Sequence, residues 1–127
     1  MKEWFFYALT SISLVVLVIF FQMGSPYYEQ GIASWYGPGF HGKQTSSGEI
    51  YDMYGISAAH KTLPFGTIVK VIDLETRKSV VVSINDRGPF IEGRIIDLSK
   101  GAAKKLGIVN KGIAKVGLRI LEWPPQN

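Results

Sequence analysis

The 127-residue chain contains no cysteine. That excludes disulfide staples, thiolate nucleophiles, thiolate metal sites and any lipid carried on a cysteine sulfur. Histidine is scarce too: His41 and His60 are the only two, and they do not fall in an H-x-x-x-H spacing. With that donor set the sequence predicts no metal centre and no cofactor. Gly37-Pro38-Gly39-Phe40-His41-Gly42 matches a phosphate-binding loop by count alone, because Pro38 interrupts it and no helix follows.

Charge is missing from one fifth of the chain. Residues 4–28 hold no charged side chain, and residues 4–21 are almost entirely apolar. Those 18 residues reach the lower limit for a helix that spans a bilayer. They exceed the about 7–15 of a signal-peptide core, and Gln22-Met23-Gly24-Ser25-Pro26 offers no A-x-A cleavage site. The sequence therefore predicts a transmembrane helix within residues 1–25, retained as an anchor rather than removed. Lys2 is offset by Glu3, so the distribution of positive charge does not decide which side the rest occupies.

Residues 26–30 read as a linker, 31–123 as one small domain and 124–127 as a tail. Outside Lys2, Glu3 and Glu29 there are 13 basic and 8 acidic residues, a net charge of +5. A basic domain beside a membrane suits an acidic partner such as lipid head groups or an anionic wall polymer. Nucleic acid fits less well, because no strand interleaves aromatics with lysines.

Alternating apolar residues predict strands over 31–37, 67–74, 78–84, 94–98 and 112–123, with 75–77 turning a hairpin. Residues 38–48 are glycine-rich and read as a long loop. Ser99 caps a helix over 100–106 that Gly107 closes, and Lys100, Lys104 and Lys105 form its solvated face. Short strands with one brief helix predict a mainly β fold, a small barrel that leaves no open sheet edge.

The β-branched run Val80-Val81-Val82-Ser83-Ile84 ends in Asn85-Asp86-Arg87-Gly88-Pro89-Phe90. A carboxylate at the end of a rigid strand can act as a general acid or base; it can equally cap its own turn. Asp97, just before Leu98-Ser99, reads as a backbone-bonding residue at the helix start. Trp35, Tyr36, Tyr51 and Phe90 offer flat faces to a ligand, with Arg87 as a polar contact.

Five ordered blocks then resemble the rare lipoprotein A family of septal-wall lytic transglycosylases. They are Gly31-Ile32-Ala33-Ser34-Trp35-Tyr36-Gly37, Thr45-Ser46-Ser47-Gly48-Glu49, Ala58-Ala59-His60-Lys61-Thr62-Leu63-Pro64-Phe65-Gly66, Asn85-Asp86-Arg87-Gly88-Pro89-Phe90 and Arg94-Ile95-Ile96-Asp97-Leu98-Ser99. The resemblance implies a six-stranded double-psi β-barrel with Asp86 as catalytic acid and Glu49 and His60 as supporting groups. It also implies an endolytic enzyme that cleaves the MurNAc–GlcNAc β-1,4 bond of peptidoglycan and leaves 1,6-anhydro ends. Its partners would be glycan strands, reached from outside the cytoplasmic membrane, and the domain would act as a monomer. Members of the family usually carry a lipidated cysteine, which this chain lacks.

In such a reaction the muramic acid's own 6-hydroxyl is the nucleophile, so one carboxyl can serve first as acid and then as base. A second carboxylate such as Glu49 would suit a hydrolase. A non-catalytic, expansin-like wall-binding module is the alternative from another class. Donating a proton near neutral pH requires the Asp86 pKa to be raised by burial or by Glu49, with His60 as a neutral ring that orients a carboxylate or sugar.

Overall fold

The computed structural model describes residues 24–126. The predicted membrane segment lies outside the described residues, apart from Gly24 and Ser25. Among the described residues no helix is long and apolar enough to cross a membrane.

Six strands close into a barrel: β1 (Glu29–Trp35), β2 (Ser57–His60), β3 (Ile68–Asp73), β4 (Ser79–Asp86), β5 (Arg94–Leu98) and β6 (Ala114–Glu122). Around the wall they run in the order β1-β5-β2-β4-β3-β6. The β1–β5 and β2–β4 pairs are parallel and the other four antiparallel, giving the double-psi barrel. Strand alternation sends Val69, Val71, Val82, Ile84, Ile96, Leu98, Val116 and Leu118 inward, where each is essentially sealed from water. Burying a side chain of this kind contributes about 1.5–3 kcal/mol.

Helix α1 (Lys100–Leu106) begins where Ser99 Oγ accepts the Ala102 N–H and ends at Gly107 in the left-handed region. It buries Ala102, Ala103 and Leu106 against the barrel. Gly101 is fixed by a close approach. A Cβ there would lie 2.5 Å from the carbonyl oxygen of Gly55 and 2.7 Å from that of Tyr54. Helix propensity alone would make Gly101→Ala stabilising by about 1 kcal/mol. Both obstacles are backbone, however, so the clash should win. Gly101→Ala is expected to destabilise by about 1–3 kcal/mol, read as a lower denaturant midpoint.

The structure departs from the sequence expectations at three places. Strand β2 has no alternating signature, because Ser57-Ala58-Ala59-His60 is short and carries two weak strand formers. The end of the expected linker at 26–30 is part of the barrel. Strand β1 starts at Glu29, and the Tyr28 N–H bonds Leu118 O on β6 at 2.8 Å. The expected loop at 38–48 also contains a short 3-10 turn, Pro38–Phe40.

Candidate active site

Register places two carboxylates on one face of the wall. Ser34 on β1 pairs with Asp97 on β5, Asp97 with Ala59 on β2, and Ala59 with Asp86 on β4. Residues paired across a sheet point the same way, and the interior row beside this one is Ala58, Leu98 and Ile84. Ser34, Asp97 and Asp86 therefore face outward, with Ala59 between the aspartates supplying almost no bulk. Simple alternation from the buried Ile84 would turn Asp86 into the barrel. A register shift between β2 and β4 prevents this, because Ala58 opposes Ile84 while Ala59 opposes Asp86, leaving Asn85 as the extra residue. That bulge aims the carboxylate outward. With strands about 4.8 Å apart, the Asp86 and Asp97 backbones are about 10 Å apart.

Above this row lies an open groove of about 320 Å³ whose lining includes Ser34, Trp35, Tyr36, Asp86, Arg87 and Asp97. Its lips carry Phe40 and Phe90, 52% and 83% exposed. Phe40 escaped the sequence reading; its one signal was a bulky aromatic inside a glycine-rich loop.

Three donors hold Asp86. The Tyr36 hydroxyl donates to Oδ2 at 2.7 Å, and the Ser46 and Arg87 N–H groups donate to Oδ1 at 2.9 Å each. Partial burial pushes the carboxyl upward, but hydrogen bonds from Tyr36, Ser46 and Arg87 outweigh it and hold the pKa below the usual carboxylate value. This overturns the expectation of a raised pKa: in the free barrel Asp86 is an ionised acceptor. Burial, then the hydrogen bond and negative charge of Asp86 and the charge of Asp97, push the Tyr36 phenol far upward. It therefore stays protonated as a fixed donor.

The Tyr36→Phe substitution removes one of those donors. The Asp86 pKa should rise, and the acidic limb of the pH–activity profile should move to higher pH. The linked stability has the same sign. A depressed carboxyl stabilises the fold above its unfolded pKa and loses that contribution as pH falls through the folded value. Tyr36→Phe should therefore carry less of this acid-dependent stability, and its loss should be complete at a higher pH than in the parent. An acidic limb that stays in place would show that Tyr36 does not tune Asp86.

The other site residues predicted from sequence divide. Trp35, Tyr36, Arg87 and Phe90 line the groove with Asp86. Tyr51 is buried and stacks on Tyr36 at 4.6 Å, with its hydroxyl accepting the Lys100 N–H, so it backs the groove and does not face it. Arg87 is braced from behind: Nη1 donates to the carbonyls of His60 and Leu63, and the guanidinium lies 4.0 Å from the Phe65 ring centroid.

Glu49 and His60 do not line the groove. The exposed Glu49 carboxylate accepts from Asn85 Nδ2 at 3.2 Å, on the loop whose Ser46 and Ser47 N–H groups reach Asp86 and the Asn85 carbonyl. His60 is 2% exposed. Its Nδ1 accepts the N–H groups of Thr62 and Leu63, which leaves the ring proton on Nε2, 2.7 Å from Glu29 Oε1. The ring orients a carboxylate, but that carboxylate is Glu29, from the segment read as a linker.

Asp97 was read as a backbone-bonding residue. The helix start is instead served by Ser99, and Asp97 accepts the Ser34 hydroxyl inside the groove. The site thus holds two aspartates where the sequence reading supplied one. Among the described residues no three His, Cys, Asp or Glu side chains gather as metal ligands.

Residues 28–118 match the family described as lytic transglycolase. Over 91 residues the chain is 60% identical to the endolytic peptidoglycan transglycosylase RlpA of Helicobacter pylori, covering 72% of this chain and 29% of that protein. It is 58% identical over 93 residues to the protein of the same name from Vibrio cholerae, covering 73% and 35% respectively. The chain thus spans about a third of the length of these relatives. Among solved structures, an expansin from Clavibacter michiganensis shares the fold with a TM-score of 0.59 and 22% identity, over 76% of this chain and 52% of that one. By its match from Tyr28 to Leu118, the chain belongs to the lytic transglycolase family of double-psi barrel domains.

Proposed function

We propose that the barrel is an endolytic peptidoglycan lytic transglycosylase, acting in the cell envelope from an N-terminal anchor. The observation that carries this reading is the ionised Asp86 set in one row with Asp97 on the floor of an open, aromatic-lipped groove. Over the 91–93 residues that align, proteins named for this activity are 58–60% identical to the barrel.

One carboxylate can do the work, because the nucleophile belongs to the substrate. Asp86 accepts the proton of the muramic 6-hydroxyl as that oxygen closes on C1. The same proton passes from Asp86 to the glycosidic oxygen as the bond from muramic C1 to that oxygen breaks, so Asp86 ends ionised as it began. Tyr36, Ser46 and the Arg87 N–H hold the accepting carboxylate in place, and the exposed faces of Phe40 and Phe90 flank the sugar rings.

A spacing of about 10 Å between carboxylate-bearing backbones also resembles an inverting hydrolase, in which the second carboxylate activates water. Product masses separate the readings. Full-length protein in detergent, incubated with purified sacculi, should release glycan ending in anhydro-muramic acid, one water lighter than the hydrolytic product. Reducing ends would make it a hydrolase. Binding to sacculi without release would make it an expansin-like wall module. Asp97→Asn, which removes the second carboxylate of the groove, should slow release by about tenfold while sacculus binding persists; unchanged release would remove Asp97 from the site.

A further inference from the structure

The end of β6 presents apolar surface that the groove does not use. Leu121 and Trp123 are each 54% exposed, and Tyr28, 53% exposed, meets Trp123 edge to face at 6.1 Å between ring centroids. Aromatic side chains with one polar end, left half in water, are what the boundary between lipid and water selects. This patch lies where the chain enters from its apolar run, since Tyr28 is the last residue before β1.

The entry segment is held against the barrel. The Tyr27 ring lies on Gly117, so closely that a Cβ there would meet it at 2.6 Å. The Arg119 guanidinium stands over the same ring, 5.3 Å from its centroid, and Arg77 Nη1 reaches the Tyr27 hydroxyl at 3.5 Å. Ser25 Oγ accepts from the Tyr27 N–H and from Gln30 Nε2. Residues 25–30 are therefore held against one place on the barrel. On the exposed row of β6 that leads to Leu121, Arg119 and its cross-strand partner Lys70 set two positive charges beside the acid at the strand end, Glu122.

We infer that this face is a membrane seat. Tyr28, Leu121 and Trp123 lie in the interfacial layer of the bilayer, and the cations of Arg119 and Lys70 meet acidic phospholipid head groups. The inference rests on the reading of residues 4–21 as a retained anchor. It adds that the barrel lies down on the bilayer in one orientation, which fixes the height and direction at which the groove meets glycan.

The absence of native cysteine provides the test, because a single introduced thiol can be labelled without background. Full-length Leu121→Cys and Ile113→Cys proteins carry an environment-sensitive dye and are reconstituted in vesicles of phosphatidylethanolamine and phosphatidylglycerol. Ile113 is also exposed but precedes the start of β6, at the other end of the strand from Leu121. The expected result is co-flotation with vesicles, with the dye at 121 blue-shifted and several-fold more quenched by lipid-borne quenchers than the dye at 113. Adding Tyr28→Ser and Trp123→Ser should abolish that difference while flotation persists. Flotation with the two dyes alike, whether both in water or both in lipid, would overturn the seat and leave the anchor standing. No flotation would overturn the anchor and the seat together.

Discussion

Asp86→Asn is expected to leave the barrel folded and to cut release of anhydro-ended glycan at least about a hundredfold, the lower range for losing a positioned acid–base group. The amide keeps the size of the carboxylate and can still accept the Tyr36 hydroxyl or the Ser46 N–H. It cannot take up the proton of the 6-hydroxyl. Asp86 lies on the outer face of the barrel in the groove, so the interior packing of Ile84, Ile96 and Leu98 is not touched. Thermal unfolding at neutral pH should shift little compared with the loss of rate. A mutant of near-parental activity would mean that the proton is accepted elsewhere.

His60→Ala should have the opposite signature, large in stability and small in chemistry. Removing the ring leaves the Thr62 and Leu63 N–H groups without their acceptor and strips Glu29 of its partner. A buried donor without a partner costs about 1–3 kcal/mol, so a total loss of about 2–4 kcal/mol is expected from denaturant unfolding. The turn these groups hold is also the one whose carbonyls receive Arg87, so it should loosen with them. At a temperature where the variant remains folded, its rate should stay within a few-fold of the parent. His60→Asn, whose side-chain oxygen can reach toward the same N–H groups, should recover part of the stability. A folded His60→Ala protein without activity would instead place the ring in the reaction.

The parts of the fold that the sequence makes legible are those with local rules. Alternation in Arg94-Ile95-Ile96-Asp97-Leu98 and the Ser99 and Gly107 caps delimit β5 and α1 as observed. The hairpin at 75–77 is visible because two alternating runs flank a polar turn, and Asp73 Oδ1 accepts the Glu75 and Thr76 N–H groups there. Strand β2 is illegible because Ala58 and Ala59 have little strand preference of their own. It is the barrel that makes them strand, by hydrogen bonding from β4 on one side and β5 on the other.

The site is legible to the extent that its geometry is local. Asp86 stands out as a carboxylate at a strand end, but the bulge at Asn85 that turns it outward is a property of the β2–β4 pairing. Asp97 becomes its neighbour only because β2 lies between β4 and β5, an order that no window of sequence contains. Glu29 is a lone acid beside a polar stretch until the closed barrel brings it to His60. Reading Asp86 as raised in pKa failed for a similar reason, since two of its three donors come from positions 36 and 46.

The central claim is that Asp86 activates an oxygen belonging to the substrate and not one from water. The most direct measurement is digestion of sacculi by the full-length protein in heavy-oxygen water, followed by mass spectrometry of the released glycan ends. The account predicts anhydro-muramic ends that carry no label, because both oxygens of the new ring come from the sugar itself. One heavy oxygen at each new end would show that water is the nucleophile and would contradict it.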